Sequence, residues 1–255
     1  MPPADEYLHT HHCHSSHLII KRWRQVAKAA RLSVEILHTT NSGFPVLLLR
    51  TKRQTANGLY VSAGVHGDEP APVAALIDWA EANIPLLREA NATILPLFNP
   101  HGLAINTRTD GDGVDLNRMF HNDDHPHIGP WRKAMEGRQF SFGLMLHEDY
   151  DAQGMYGYEL PGRTTLTVDS FLQKSDPFLA RDQRSKIDGF RAKNGVIRRV
   201  KKPKNLPGLP EALVVYQLSA PATFTFESPS EHCLKARVNA HKAIIQHAFE
   251  RFALK

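Results

Sequence analysis

A histidine and a glutamate three residues apart, His66 and Glu69, stand in the stretch GLYVSAGVHGDEP over residues 58–70. An imidazole and a carboxylate delivered together can be two of the protein ligands of a catalytic zinc. Leu59, Tyr60 and Val61 form an apolar run that reads as a buried strand, and Gly64 breaks it. Pro70 and Pro72 then fall in the first turn of a following helix, where proline is tolerated. The pair is thus expected at the carboxyl end of a strand, where open α/β sheets place their ligands. An H-x-x-E pair is equally at home on a solvated loop, and the rest of the chain has to decide between the two.

Two further strand ends carry candidate groups. The apolar run 142–146 terminates in His147, and the run 223–226 terminates in Glu227. Groups so far apart along a chain meet only if their strands are neighbours in one sheet. Between them lie Asn99-Pro100-His101-Gly102, then Arg108, then Gly113-Val114-Asp115-Leu116-Asn117-Arg118. Two arginines and an asparagine on a glycine-rich loop suit an anion, since a guanidinium can grip a carboxylate through two parallel hydrogen bonds. The alternative is a polar surface loop in which Asp115 pairs with Arg118.

HGDE, NPHG followed by Arg108, GVDLNRMF, the histidine of LMLHE and the glutamate of TFESP occur in that order. In this the chain resembles the zinc carboxypeptidase family, the carboxypeptidase A-like metallopeptidases. It is most similar to the small murein-peptide amidases, with a relation to the succinylglutamate desuccinylase and aspartoacylase branch. The resemblance spans roughly residues 58–229. It implies one zinc ion held by His66, Glu69 and His147, with water completing the site, and Asp115 orienting His66 from behind. It implies that Asn117 and Arg118 bind the substrate's terminal carboxylate, that Arg108 stabilises the oxyanion and that Glu227 is the general base. The implied activity is hydrolysis of a C-terminal amide bond beside a free carboxylate, in a small peptide. The alternative is deacylation of an N-acyl amino acid. Two features depart from the family pattern. Tyr216 is too close to Glu227 for the family's mobile tyrosine, so Tyr156, Tyr158 and Tyr216 have no assigned role. The spacing from Glu69 to His147 is also shorter than in the digestive enzymes, which suggests trimmed loops. Glu148, Asp149 and Asp151 read as a solvated acidic rim, with a second metal or a cationic substrate as alternatives.

These groups need elements to position them. Apolar positions at helical spacing predict an amphipathic helix over 18–32, and further helices are expected over 73–82 and 230–254. Strands are expected over 33–38, 45–49, 92–98, 213–218 and 223–226, besides those ending near His66 and at His147. Residues 175–193 read as polar with helical stretches, and 205–210 as a loop. The alternation predicts an α/β fold in three layers, α/β/α, around a central mixed, mostly parallel sheet. Residues 18–255 are expected to form one domain, preceded by a flexible leader over 1–17 with histidines at 9, 11, 12, 14 and 17.

The 255 residues are 42% hydrophobic and 22% charged, ample for a core. No apolar run is long enough to span a bilayer, and the N-terminus carries no basic-then-apolar signal pattern. Cys13 and Cys233 are the only cysteines, so a structural disulfide is not expected and a cytoplasmic location is. The net charge of +5 is concentrated between Arg181 and Lys204 and reads as a solvated surface; no nucleic-acid motif accompanies it. No nucleic-acid or membrane partner is expected.

Overall fold

The computed structural model describes residues 12–55, 58–160, 166–198, 208–217 and 222–253. Among them runs one eight-stranded sheet. Its strands are β1 (Ser33–Thr39), β2 (Pro45–Arg50), β3 (Gly58–Ala63), β4 (Ala92–Leu95), β5 (Phe140–Asp149), β6 (Tyr156–Glu159), β9 (Val196–Arg198) and β10 (Thr223–Pro229). The order across the sheet is β1-β2-β4-β3-β5-β10-β6-β9, and β7 (Lys186–Ile187) and β8 (Phe190–Arg191) form a separate hairpin. The four central strands β4, β3, β5 and β10 are parallel, while β2 and β6 flank them antiparallel.

Alternation along the central strands feeds two cores. Leu59, Val61 and Ala63 of β3 and Phe142, Leu144 and Leu146 of β5 face the larger one. It is covered by α1 (Ser16–Ala30), α2 (Pro70–Ala82), α6 (Val168–Ser175) and α8 (Leu234–Ala248). Tyr60 and Met145 face the smaller core, under Ile128 and Trp131 at α5 (Ile128–Met135) and Val214 and Val215 of α7 (Glu211–Gln217). Two short helices, α3 (Ile84–Glu89) and α4 (Pro100–Ile105), complete the chain order. This is the expected three-layer α/β/α arrangement. The chain leaves β3 for β4 on one side and returns to place β5 on the other. The sheet therefore changes direction at β3, and a crevice opens at the carboxyl ends of β3 and β5.

Several local expectations change. Residues 213–217 are helix α7, not strand. A short apolar run with buried Leu213, Val214 and Val215 is compatible with either, and tertiary packing decides. Past Ser175 there is no further helix before Lys193. The β7–β8 hairpin turns there on Asp188 and Gly189, both at positive φ. β4 ends at Leu95, and α8 begins at Leu234 and passes into a π-turn over Phe249–Ala253. Within residues 12–17, two side chains reach the interior. Cys13 and Ser16 are buried, and the Ser16 hydroxyl donates to the Pro100 carbonyl at 2.6 Å. His9 and His11, residues 199–204 of the basic segment and 205–207 of the expected loop lie outside the described residues. Both cysteines are free thiols.

Candidate metal centre and catalytic cleft

Strand register brings the three candidate ligands together. β3 and β5 pair in parallel with Ala63 opposite Leu146, so the segment leaving β3 emerges beside His147. Gly64 makes that exit at φ 66°, in the left-handed region that glycine enters freely. Glu69 sits at the N-terminal boundary of α2. A Cβ on Gly67 would stand 2.0 Å from the Gly102 carbonyl carbon, so only glycine lets the HGDE turn lie on the NPHG helix. His66, Glu69 and His147 are all buried, and one donor atom from each lies within 4.8 Å of the others.

The Glu69 carboxylate stands between the two imidazoles. Its Oε1 is 2.5 Å from His66 Nδ1 and its Oε2 is 2.9 Å from His147 Nδ1. The other ring nitrogen of His66, Nε2, is 3.2 Å from Asp115 Oδ1. That contact holds a proton on Nε2, so Nδ1 is the nitrogen that faces the centre and would serve a metal. Burial alone would lower the His66 pKa, but the Glu69 charge and the Asp115 bond raise it to about 9. Burial likewise pushes the His147 pKa down, and the Glu69 charge and hydrogen bond outweigh it and raise it. Glu69 and Asp115 are held well below the ordinary carboxylate range: burial pushes both up, and the neighbouring imidazoles outweigh it. The trio therefore attracts positive charge, and two nitrogens with one carboxylate oxygen are a donor set that zinc accepts.

The second candidate segment lines the same crevice. Asn99 is fully buried and organises it. Its Oδ1 accepts from Gly102 N at 2.9 Å, while its NH2 donates to the Thr109 carbonyl at 2.9 Å and the Arg108 carbonyl at 3.3 Å. Arg108 is thereby placed at the rim, with Nε 3.1 Å from Asp115 Oδ2 and Nη1 3.7 Å from Glu69 Oε1. Asp115 Oδ1 also accepts from Asn117 N at 2.9 Å, starting a short 3-10 turn over Leu116–Arg118. Asp115 thus faces His66 and Arg108 rather than pairing with Arg118.

On the far side of His147, β10 pairs with β5 in parallel register, and Glu227 is directly opposite His147. The Glu227 carboxyl is raised well above its ordinary value. Desolvation is the main cause; His147 opposes it, and the charges of Glu69, Asp149 and Asp188 add to it. His66, Glu69, His147, Arg108, Asn117, Arg118 and Glu227 share one cleft of about 350 Å³. Asp115 stands behind His66.

Similarity to known proteins runs along the same lines. Residues 55–139 match the model of the succinylglutamate desuccinylase/aspartoacylase catalytic domain. That segment holds His66, Glu69, Arg108, Asp115, Asn117 and Arg118 and stops short of His147 and Glu227. Among solved structures, a putative metallopeptidase from Shewanella amazonensis superposes with a TM-score of 0.81 at 19% identity, covering 95% of each chain. One from Shewanella denitrificans gives 0.80 at 19% identity, covering 95% of this chain and 92% of its own. A metallo-carboxypeptidase from Pseudomonas aeruginosa, in complex with (2-guanidinoethylmercapto)succinic acid, gives 0.55 at 20% identity over 89% of this chain and 68% of its own. No curated protein matches the chain. The chain has the fold of these metallopeptidases, and over residues 55–139 it is similar to the desuccinylase/aspartoacylase catalytic domain.

Within this carboxypeptidase-like frame some residues do what spacing alone did not show. Glu211 is fully buried, accepting from Tyr60 Oη at 2.5 Å and Ser62 Oγ at 2.9 Å, and its backbone N–H donates to Asn117 Oδ1 at 3.0 Å. It ties α7 to the floor of the cleft and braces Asn117. The only sequence signal was a glutamate opening a segment otherwise read as strand. Glu148 is not part of a solvated rim. It is buried, ion-paired to Arg237, and accepts from Ala71 N at 2.8 Å and Ser228 Oγ at 3.2 Å. Asp149 accepts from Tyr156 Oη at 2.9 Å, and Tyr158 donates to Asp188. Both tyrosines line the cleft; Tyr216 does not. Among the described residues no helix is long and apolar enough to cross a membrane.

Proposed function

We propose that this protein is a zinc-dependent hydrolase that cleaves an amide bond next to a free carboxylate, as a carboxypeptidase or peptide amidase. The observation that carries the reading is the convergence of His66, Glu69 and His147 on one point, with Glu227 beside His147 and two arginines on the same cleft. His66, Glu69 and His147 would hold the zinc, which when bound polarises the scissile carbonyl and lowers the pKa of a water to about 7. Arg118, with Asn117, binds the substrate's carboxylate and so selects the terminal amide. Asp115 keeps the proton on His66 Nε2. Glu227 takes a proton from the attacking water and returns it to the departing amine nitrogen; a carboxyl raised by desolvation suits a group that must do both. Arg108 donates to the carbonyl oxygen as negative charge develops there.

A second reading, deacylation of an N-acyl amino acid, rests on the family match over residues 55–139. Release of the C-terminal residue from short peptides, measured against deacylation of N-acetyl- and N-succinyl-amino acids, separates the two. For either substrate Glu227→Gln should retain zinc and lose about 10²- to 10⁴-fold in kcat. Undiminished hydrolysis in that variant would remove Glu227 as the base.

A further inference from the structure

A second group of metal-ligating side chains lies outside the cleft. Asp110, His125 and His127 each offer a donor atom, and these lie within 4.8 Å of one another. Asp110 divides its carboxylate. Oδ1 accepts from Asp112 N at 3.0 Å and Val114 N at 2.9 Å, closing a tight turn, while Oδ2 faces His125 Nε2 at 3.5 Å, too long for a good hydrogen bond. His127 is only 5% exposed, and neither of its ring nitrogens has a hydrogen-bond partner. A buried polar atom left without a partner is destabilising, and such atoms call for a cause. The His38 ring packs at 4.8 Å from that of His127, and Phe98 closes another side at 5.7 Å.

We propose that Asp110, His125 and His127 form a structural site for a divalent metal of the zinc class. The donors are two imidazoles and one carboxylate oxygen, a set that favours zinc-like ions over magnesium. His125 Nδ1 accepts the His127 backbone N–H at a long 3.3 Å. Ligation through Nε2 moves the ring proton to Nδ1 and exchanges that weak bond for a metal–nitrogen bond. The ion would tie the Asp110–Val114 turn to His127, the residue that opens α5. The turn lies between Arg108 and Asp115, so the clamp would fix the loop that carries both into the cleft. The inference is independent of the proposed hydrolysis.

The test is metal content of the full-length protein after exposure to zinc and passage over a chelating resin. Wild type is compared with Asp110→Asn, His127→Gln and Glu69→Gln. Asp110→Asn keeps the Oδ1 acceptor that closes the turn, so it guards against a folding failure in His127→Gln. Any ion on the histidine-rich N-terminus is common to all four and cancels. The expected result is one zinc equivalent fewer in Asp110→Asn and in His127→Gln, and a smaller rise in melting temperature on adding zinc. Glu69→Gln should keep this equivalent and lose the other, and magnesium should not substitute. Equal zinc content and equal thermal response in wild type, Asp110→Asn and His127→Gln would overturn the site, whatever happens to turnover.

Discussion

Among the described residues stand two clusters of two imidazoles and one carboxylate, built in opposite ways. His66, Glu69 and His147 come from the carboxyl ends of neighbouring parallel strands and open onto a cleft of about 350 Å³ lined by Arg108, Arg118 and Glu227. Asp110, His125 and His127 come from a turn and the approach to a short helix, packed against His38 and Phe98. The same donor chemistry can therefore carry different roles. A reactive centre needs an open coordination position, a proton acceptor and room for substrate. A structural centre needs a filled coordination shell and no path for substrate.

The largest effects should follow from breaking what the first cluster has and the second lacks. Beyond the Glu227→Gln test, Arg108→Ala should cost about 10²- to 10³-fold in kcat, the scale for removing one donor to a developing oxyanion, with zinc content unchanged. A loss confined to KM in steady-state kinetics would place Arg108 in substrate binding instead. Gly67→Ala drives a Cβ into the backbone at Gly102 and must separate HGDE from NPHG. Overpacking of that kind costs about 1–3 kcal/mol, and zinc affinity at the His66 centre should weaken with it. Chemical denaturation together with a zinc titration reads both; an unchanged midpoint would mean that the two turns are free to part.

Smaller effects are expected beneath the cleft. Tyr60 donates to Glu211 and accepts from Trp131 Nε1 at 2.9 Å. Tyr60→Phe leaves the buried carboxyl short of a donor and the indole N–H without an acceptor, a cost of about 1–3 kcal/mol in urea unfolding. The smallest is a pH effect far from both clusters. His247 packs on Phe171, and its Nε2 is buried without a partner. Burial, aided by Arg251 and Lys174, lowers its pKa. Above the unfolded value of about 6.5 it is neutral in both states and contributes no slope. As pH falls through that value the unfolded chain takes up a proton that the folded chain refuses, so stability declines. His247→Gln should flatten the decline in melting temperature below pH 6.5; an identical profile would show that the ring is solvated in the native state.

How much was legible in the sequence depended on how local the cause was. The β3 exit, the strands that carry His147 and Glu227 near their carboxyl ends, the Asn99 turn and the alternation of elements could all be read, because period and turn chemistry act over a few residues; the ends themselves lie two residues further on, at Asp149 and Pro229. The helix over 211–217 could not, since a short apolar run fits a buried helix as well as a buried strand and only the covering layer chooses. Nor could the burial of Glu148, because its partner Arg237 lies on α8, far along the chain. The second cluster was missed for a similar reason: His125 and His127 are adjacent to no strand end, and only the fold brings Asp110 to them.

The sequence by itself determined which side chains were available for metal and proton chemistry, and that three of them would stand near strand ends. Tertiary structure decided which of those groups meet. Strand order and register, set by packing two apolar faces against two layers of helix, place His147 between His66 and Glu227; no local propensity encodes that adjacency.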